Sequence, residues 1–189
     1  MSTSLTSPER QRLLDTFPQA EKNTTPGDAA LLRILIQATG AKRGVEVGSF
    51  AGYGAVNMGI AFERTGGRLI TIDVDPAMVQ TTRENITRFG LEGTVTAIGG
   101  DAAEVLRNVQ GPFDFVFLDA AKPDYLRYFE AIRPQLAEKA LLVADNVIAY
   151  ADAMRDFLEF MAKSPEWEMV IVRASEAKGD GMAVCRRVT

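Results

Sequence analysis

The sequence predicts an α/β protein: a seven-stranded, mostly parallel sheet with an antiparallel last strand and helices on both faces. Apolar stretches of strand length alternate with stretches of helical period, which marks repeated βα units. The strand segments are apolar almost throughout, as in Phe113-Asp114-Phe115-Val116-Phe117-Leu118 and Ala140-Leu141-Leu142-Val143-Ala144. Such strands need cover on both faces. Only the polar link Ala174 to Gly181 joins the last two strands, enough for a hairpin but too little for a parallel crossover.

The elements follow in order. Residues 1–24 are polar, carry Pro8 and Pro18, and read as a helical or flexible extension, with Ser7-Pro8-Glu9-Arg10 opening a short helix through Phe17. Thr25-Pro26-Gly27-Asp28 offers a hydroxyl cap, a proline at the first helical position and an acid near the positive dipole end. That helix runs through Leu31, Leu32, Leu35 and Ile36 to Gly40. A strand near 44–48 precedes a helix near 53–64, and a second strand covers 68–73. Pro76 opens a helix to about Phe89, stopped by Gly90. A third strand near 94–98 leads to a short helix near 102–109. The fourth strand, 113–118, leads to a helix near 123–136, and the fifth, 140–144, to a helix over 151–163. Strands at 168–173 and 182–188 close the chain. There is no repeat, low-complexity tract or linker, so residues 1–189 read as a single domain.

Bulk properties narrow the function classes. The chain has 189 residues, 47% hydrophobic and 24% charged, with a net charge of −4. That composition fits a soluble globular domain without the basic field that grips nucleic acid. A single cysteine, Cys185, excludes an internal disulfide. No apolar run reaches membrane-spanning length and no signal-peptide pattern is seen, which places the expected site of action in the cytoplasm. Histidine is absent, which removes imidazole bases, His triads and His metal sites together.

The densest signal is Gly44-Val45-Glu46-Val47-Gly48-Ser49-Phe50-Ala51-Gly52-Tyr53-Gly54. A strand runs into a loop with glycines at 48, 52 and 54, where the backbone can turn and approach a ligand, and a helix N-terminus follows. Twenty-five residues after Gly48 the second strand ends on Asp73, placed to take the hydroxyls of a ribose. The spacing Gly-x-x-x-Gly-x-Gly departs from the dinucleotide pattern Gly-x-Gly-x-x-Gly, which disfavours a nicotinamide cofactor. Glu46, two residues before the first glycine, can face the amino group of an amino-acid-like ligand. S-adenosylmethionine has that group, a ribose and a cationic sulfur. The alternative is a glycine-rich turn with Glu46 as a surface acid. Gly100-Asp101-Ala102, after the third strand, sits where Asp101 or its backbone can meet an adenine.

A second cluster lies at the ends of strands four and five: Asp119-Ala120-Ala121-Lys122 and Asp145-Asn146. If those strands are neighbours, Asp119 and Asp145 leave the sheet side by side. Two carboxylates and an amide oxygen suit a hard divalent cation, with Lys122 reaching over the same spot. The alternative is that both acids cap turns and Lys122 pairs with one of them.

Taken in order, these segments resemble the catechol and caffeoyl-CoA type of S-adenosylmethionine-dependent O-methyltransferase, over roughly residues 23–188. The resemblance rests on Gly40 to Gly48, Gly52-Tyr53, Leu69 to Asp73, Phe113 to Lys122 with Tyr125, Ala144-Asp145-Asn146-Val147 and Gly179-Asp180-Gly181. It implies the Rossmann-like class I methyltransferase fold and transfer of a methyl group to a hydroxyl of a small catechol-like or vicinal-diol acceptor. By that resemblance Glu46, Gly48, Ser49, Gly52, Tyr53 and Gly54 hold the methionine end of the cofactor, Asp73 the ribose, and Asp101 and Ala102 border the adenine. Thr24 and Asp119 also line the cofactor. Asp119, Asp145 and Asn146 ligate Mg²⁺, or Mn²⁺ or Ca²⁺ in its place, and Lys122 is the base, with Asp119 its catalytic partner. A homodimer is implied as well.

Two departures from the family pattern stand out. Gly54 replaces a serine, so a hydroxyl contact to the methionine carboxylate is lost. The segment after Asn146 is shorter than in relatives, which opens the acceptor pocket or leaves it to a partner subunit. Rival readings are a tRNA hydroxyuridine-type O-methyltransferase and a cofactor-binding module without catalysis. Phe113, Phe115 and Phe117 read as core, and Tyr125, Tyr128 and Phe129 as helix packing.

Overall fold

The computed structural model describes residues 7–18, 20, 23–175 and 178–188. The elements are α1 Ser7–Asp15, α2 Pro26–Thr39, β1 Arg43–Val47, α3 Tyr53–Thr65, β2 Arg68–Asp73, α4 Pro76–Arg88, β3 Val95–Gly99 and α5 Ala102–Asn108. They continue with β4 Phe113–Leu118, α6 Tyr125–Ile132, β5 Leu136–Ala144, α7 Arg155–Lys163, β6 Trp167–Val172 and β7 Met182–Arg187. The part of the expected N-terminal extension in residues 1–6 lies outside the described residues.

All seven strands form one sheet in the order β3-β2-β1-β4-β5-β7-β6. Strands β1 to β5 pair in parallel. β7 runs antiparallel to both β5 and β6, so it alone is reversed. The closing hairpin therefore places β7 inside and β6 at the edge.

Strand periodicity splits the core into two layers. Phe115 and Phe117 point to one face and pack with Phe62, Leu32, Ile36 and Val79 of α2, α3 and α4. Val116 and Leu118 point to the other and pack with Leu106, Phe129 and Phe157 of α5, α6 and α7. The period of two explains why one apolar run serves both faces.

Several boundaries differ from expectation, each for a local reason. α1 ends at Asp15; Thr16 stays exposed, Phe17 turns inward, and the Phe17 ring meets Tyr53 edge-on at 5.1 Å. The helix expected over 123–136 is α6 flanked by two single 3₁₀ turns, Lys122–Asp124 and Arg133–Gln135. Pro123 and Pro134 lack the N–H that a continuous α-helix requires. β5 starts at Leu136 rather than Ala140, opposite Phe113, with a register irregularity before Phe115. The helix expected from residue 151 starts at Arg155, because Tyr150, Ala153 and Met154 close separate turns first. No described helix is long and apolar enough to cross a membrane.

Candidate active site

The strand order reverses between β1 and β4, and a cleft of about 1220 Å³ opens there, at the carboxyl ends of the parallel strands. This is where an open α/β sheet offers a crevice between outgoing loops. Val47 pairs with Ile72 and with Leu118, and Leu118 with Ala144. The next residue on each strand is Gly48, Asp73, Asp119 and Asp145, so register alone brings these four to one edge.

Gly48 has φ 94°, and a Cβ on it would lie 2.2 Å from the Asp119 carbonyl oxygen. Only glycine lets the loop pass there. Asp73 Oδ2 accepts from the Ser49 and Phe50 amides at 3.0 and 2.8 Å, and Oδ1 from the Asp75 amide at 3.0 Å. This grip holds Phe50 at φ 45°, a conformation non-glycine residues seldom adopt. Oδ1, with one donor, has a second lone pair, so Asp73 keeps acceptor capacity toward the cleft it lines.

Glu46 is not a surface acid. It is 1% exposed, yet it borders the cleft, and the Thr71 hydroxyl donates to its Oε2 at 2.5 Å. Burial, opposed by the Thr71 hydrogen bond and aided by the charges of Asp119 and Asp73, pushes its carboxyl up to about 8. A Cβ on Gly54 would collide with Glu46 Oε1 and press on Thr24 Oγ1. The missing side chain at 54 is thus the space in which the Glu46 carboxyl sits.

Thr24, Ser49, Tyr53, Asp101 and Ala102 also line the cleft. Asp101 has a structural duty: it caps α5 through the Glu104 amide at 3.0 Å and pairs with Arg127 at 2.9 Å. The Glu104 amide, helped by Arg127 against a small burial cost, holds its carboxyl below the ordinary range. Gly52 stands apart from the cleft lining; at φ 84° it caps α3 against Thr82.

The second cluster is assembled by the adjacency of β4 and β5. Lys122 Nζ donates to Asp119 Oδ1 at 2.8 Å and to Tyr125 Oη at 2.9 Å. The Tyr125 hydroxyl in turn donates to the Leu118 carbonyl at 2.9 Å. Burial, with the Asp145 charge and against the pull of Lys122, raises the Asp119 carboxyl to about 6. Asp145 is buried behind the cleft lining; its Oδ1 accepts from the Asn146 amide at 2.8 Å and its Oδ2 from Lys178 Nζ at 3.1 Å. Asn146 faces the cleft at φ 61° and gives its side-chain N–H to Asp180 at 3.0 Å.

Whether this set fits a divalent ion is decided by its partners. The oxygen chemistry of Asp119, Asp145 and Asn146 suits a hard cation. As placed, however, Lys122 takes Asp119 and Lys178 takes Asp145, and the Lys178 ammonium also lies 3.8 Å from Asp28. The expected alternative had Lys122 pair with one acid, as it does with Asp119; Lys178 on Asp145 is an addition to it, and a dication does not fit without displacing Lys178. Among the described residues, no three His, Cys, Asp or Glu side chains group to hold a metal.

Sequence reasoning did not single out Lys178, Thr71 or the hydroxyl of Tyr125, and gave Asp28 only the place of an acid at a helix start. Tyr125 packs as expected, its ring edge-on to Phe157 at 5.8 Å, but its hydroxyl also fixes Lys122. Asp180 was visible only within Gly179-Asp180-Gly181. Its Oδ1 accepts from the amides of Ile148, Ala149 and Gly181, at 2.9, 3.0 and 2.7 Å, which folds the short segment after Asn146 into turns. Those turns bring Tyr150, half exposed, to the cleft wall.

Among known proteins, the O-methyltransferase family matches residues 9–188. A catechol O-methyltransferase of Niastella koreensis is 37% identical over 130 residues, 67% of this chain and 58% of its own length. This chain therefore spans less than two thirds of that relative. A catechol O-methyltransferase of Mycobacterium tuberculosis is 32% identical over 168 residues, 81% of this chain and 75% of its own. The structure of the O-methyltransferase TomG from Streptomyces achromogenes with S-adenosylmethionine superposes with a TM-score of 0.82, at 25% identity, over 95% of this chain and 86% of that one.

Proposed function

This chain is a member of the O-methyltransferase family, and from that membership we propose that it transfers a methyl group from S-adenosylmethionine to a hydroxyl oxygen of a small phenolic acceptor. One observation carries the reading: the buried Glu46 carboxyl and the Lys122–Asp119 pair open onto the same cleft. The first is built for an ammonium group and the second for proton transfer.

The cofactor supplies a methyl group on a positively charged sulfur. Glu46 receives its amino group, and the bare backbone at Gly48 and Gly54 lets its methionine end lie close to β1. Asp73 offers lone pairs to the ribose, and the loop around Asp101 and Ala102 borders the adenine. The acceptor enters past Tyr150, whose ring can stack on a phenol.

As the new oxygen–carbon bond forms and the sulfur–carbon bond breaks, the phenolic proton passes to the Lys122–Asp119 pair, where the Asp119 carboxylate can take it. Lys122 Nζ, held by Asp119 and Tyr125, donates toward the acceptor oxygen. Orientation is the main contribution of the site, since aligned reactants avoid most of the entropic barrier. No step is assigned to a divalent ion.

Titration with S-adenosylhomocysteine, followed by transfer of labelled methyl to catechol and to bulk tRNA, tests the reading. Stoichiometric binding with product on the phenol is expected. Preference for NAD, binding without product, or product on tRNA alone would overturn it.

A further inference from the structure

We propose that Lys178 is the resident cation of this site, occupying with its ammonium the place that a divalent metal ion would take beside Asp119 and Asp145. The inference rests on the reading of the cleft as a methyl-transfer site and departs from the metal dependence that the family resemblance implied.

Asp145 is 1% exposed and Asp28 3%. Buried carboxylates need a partner of opposite charge. Lys178 supplies it to both, 3.1 Å from Asp145 and 3.8 Å from Asp28, and its charge also acts on Asp119. The lysine borders the cleft, so its ammonium reaches both the acids and the acceptor space.

The position is built by the backbone. Gly179 follows at φ 60°, and Asp180 is fixed by three amides and the Asn146 side chain. The turn that delivers Lys178 is thereby tied to the turn that carries Asn146. Asn146 spends its side-chain N–H on that tie. One Asp145 oxygen already accepts from an amide and the other from the Lys178 ammonium. A dication entering here would meet an ammonium in direct contact with its ligand, and like charges at such range repel strongly.

The nature of the cation bears on substrate class. A metal ion selects acceptors that chelate through two neighbouring oxygens. An ammonium donates hydrogen bonds and has no such requirement. Lys178 and Lys122 together can draw in and orient a single phenolic oxygen, so a phenol with one hydroxyl is an acceptor on the same footing as a catechol.

The test is a Mn²⁺ titration of EDTA-treated protein, followed by the paramagnetic resonance of free Mn²⁺. Wild type is expected to leave the signal unchanged, while Lys178→Met and Lys178→Gln each gain one Mn²⁺ site that Asp145→Asn removes. Uptake of one Mn²⁺ by wild type, lost in Asp145→Asn, overturns the proposal without recourse to any Lys178 variant. Failure of both folded Lys178 variants to take up Mn²⁺ overturns it too. In parallel, wild-type transfer to phenol and catechol is expected to be unchanged by EDTA, and loss of transfer in EDTA counts against the proposal. S-adenosylhomocysteine titration of the same samples reports folding and the cofactor reading, so failure of that reading is seen independently of Mn²⁺.

Discussion

A Cβ on Gly54 would stand 2.6 Å from Oε1 of Glu46 and 3.1 Å from Oγ1 of Thr24. Glycine at 54 and glutamate at 46 are one solution to filling the floor of the cleft. Gly54→Ser should therefore fail to gain a useful hydroxyl. It should push the Glu46 carboxyl away from Thr71 and cost about 1–3 kcal/mol in overpacking. Thermal unfolding should shift down, and S-adenosylhomocysteine should bind about tenfold more weakly, a loss of about 1.4 kcal/mol. Unchanged calorimetric affinity would show that Glu46 is free to move aside.

Glu46 itself should act as a proton gauge. Its carboxyl is pushed up to about 8 by burial, so at pH 7 it holds a proton. An ammonium group placed against it favours the ionised form. Cofactor binding at pH 7 should release close to one proton, seen as a buffer-dependent binding enthalpy, and Glu46→Gln should abolish that dependence. The same displacement sets the sign for stability. The folded carboxyl keeps its proton to higher pH than the unfolded one, so stability should fall as pH rises from about 4.5 to about 8. The fall should approach roughly 1.4 kcal/mol for each step of one in pH inside that window, and Glu46→Gln should flatten it.

Tyr125 should behave as a positioning residue. Its hydroxyl accepts from Lys122 at 2.9 Å and donates to the Leu118 carbonyl at 2.9 Å. Tyr125→Phe keeps the ring against Phe157 but frees Nζ to wander. The expected result is a fall in kcat of about tenfold with little change in KM, alongside roughly 1 kcal/mol of lost stability. A purely structural role would lower stability and leave kcat of the folded protein intact, whereas loss of this hydrogen bond should lower kcat at nearly unchanged KM.

These residues show how far the sequence could be read. A parallel sheet covered on both faces and a closing hairpin followed from the apolar strands and the short polar link 174–181, because burial on both faces dictates the pattern; that the fourth and fifth strands are neighbours, which sets Asp119 beside Asp145, was a condition that the register meets. The start of α2 was legible because Thr25 caps it through the Asp28 amide, a local hydrogen bond encoded within four residues. The division around α6 was less so, since Pro123 and Pro134 sit at ends of a helical pattern where proline has more than one meaning. Lys178 was invisible. It meets Asp28 and Asp145 across the fold, and no local spacing announces a contact made by a turn packing back on the sheet. Glu46 was found by position, but its burial under Gly54 depends on how α3 meets β1.

Asp180 ties the turn at 179–181 to the turn after Asn146, and its removal should be costly in two distinct ways. Its Oδ1 accepts from the Ile148, Ala149 and Gly181 amides and its Oδ2 from the Asn146 side chain. Asp180→Ala strands these donors, and hydrogen bonds to charged groups are worth about 1.5–3 kcal/mol each, though not additively. A loss of at least about 2 kcal/mol in chemical denaturation is expected, with faster amide exchange at 148, 149 and 181. The acceptor KM should rise more than the cofactor affinity falls, because the turns that carry Asn146 and Tyr150 border the acceptor side. Although burial works against it, the Ala149 and Gly181 amides and the Asn146 side chain hold the Asp180 carboxyl below its usual value. A depressed carboxyl contributes stability that is fully present above its unfolded pKa and disappears as pH falls through the lower folded one. Wild type should lose this contribution in strong acid, and Asp180→Ala should lack that acid-side slope, while Asp180→Asn should recover part of the stability at neutral pH because its amide oxygen can still accept from the three backbone donors.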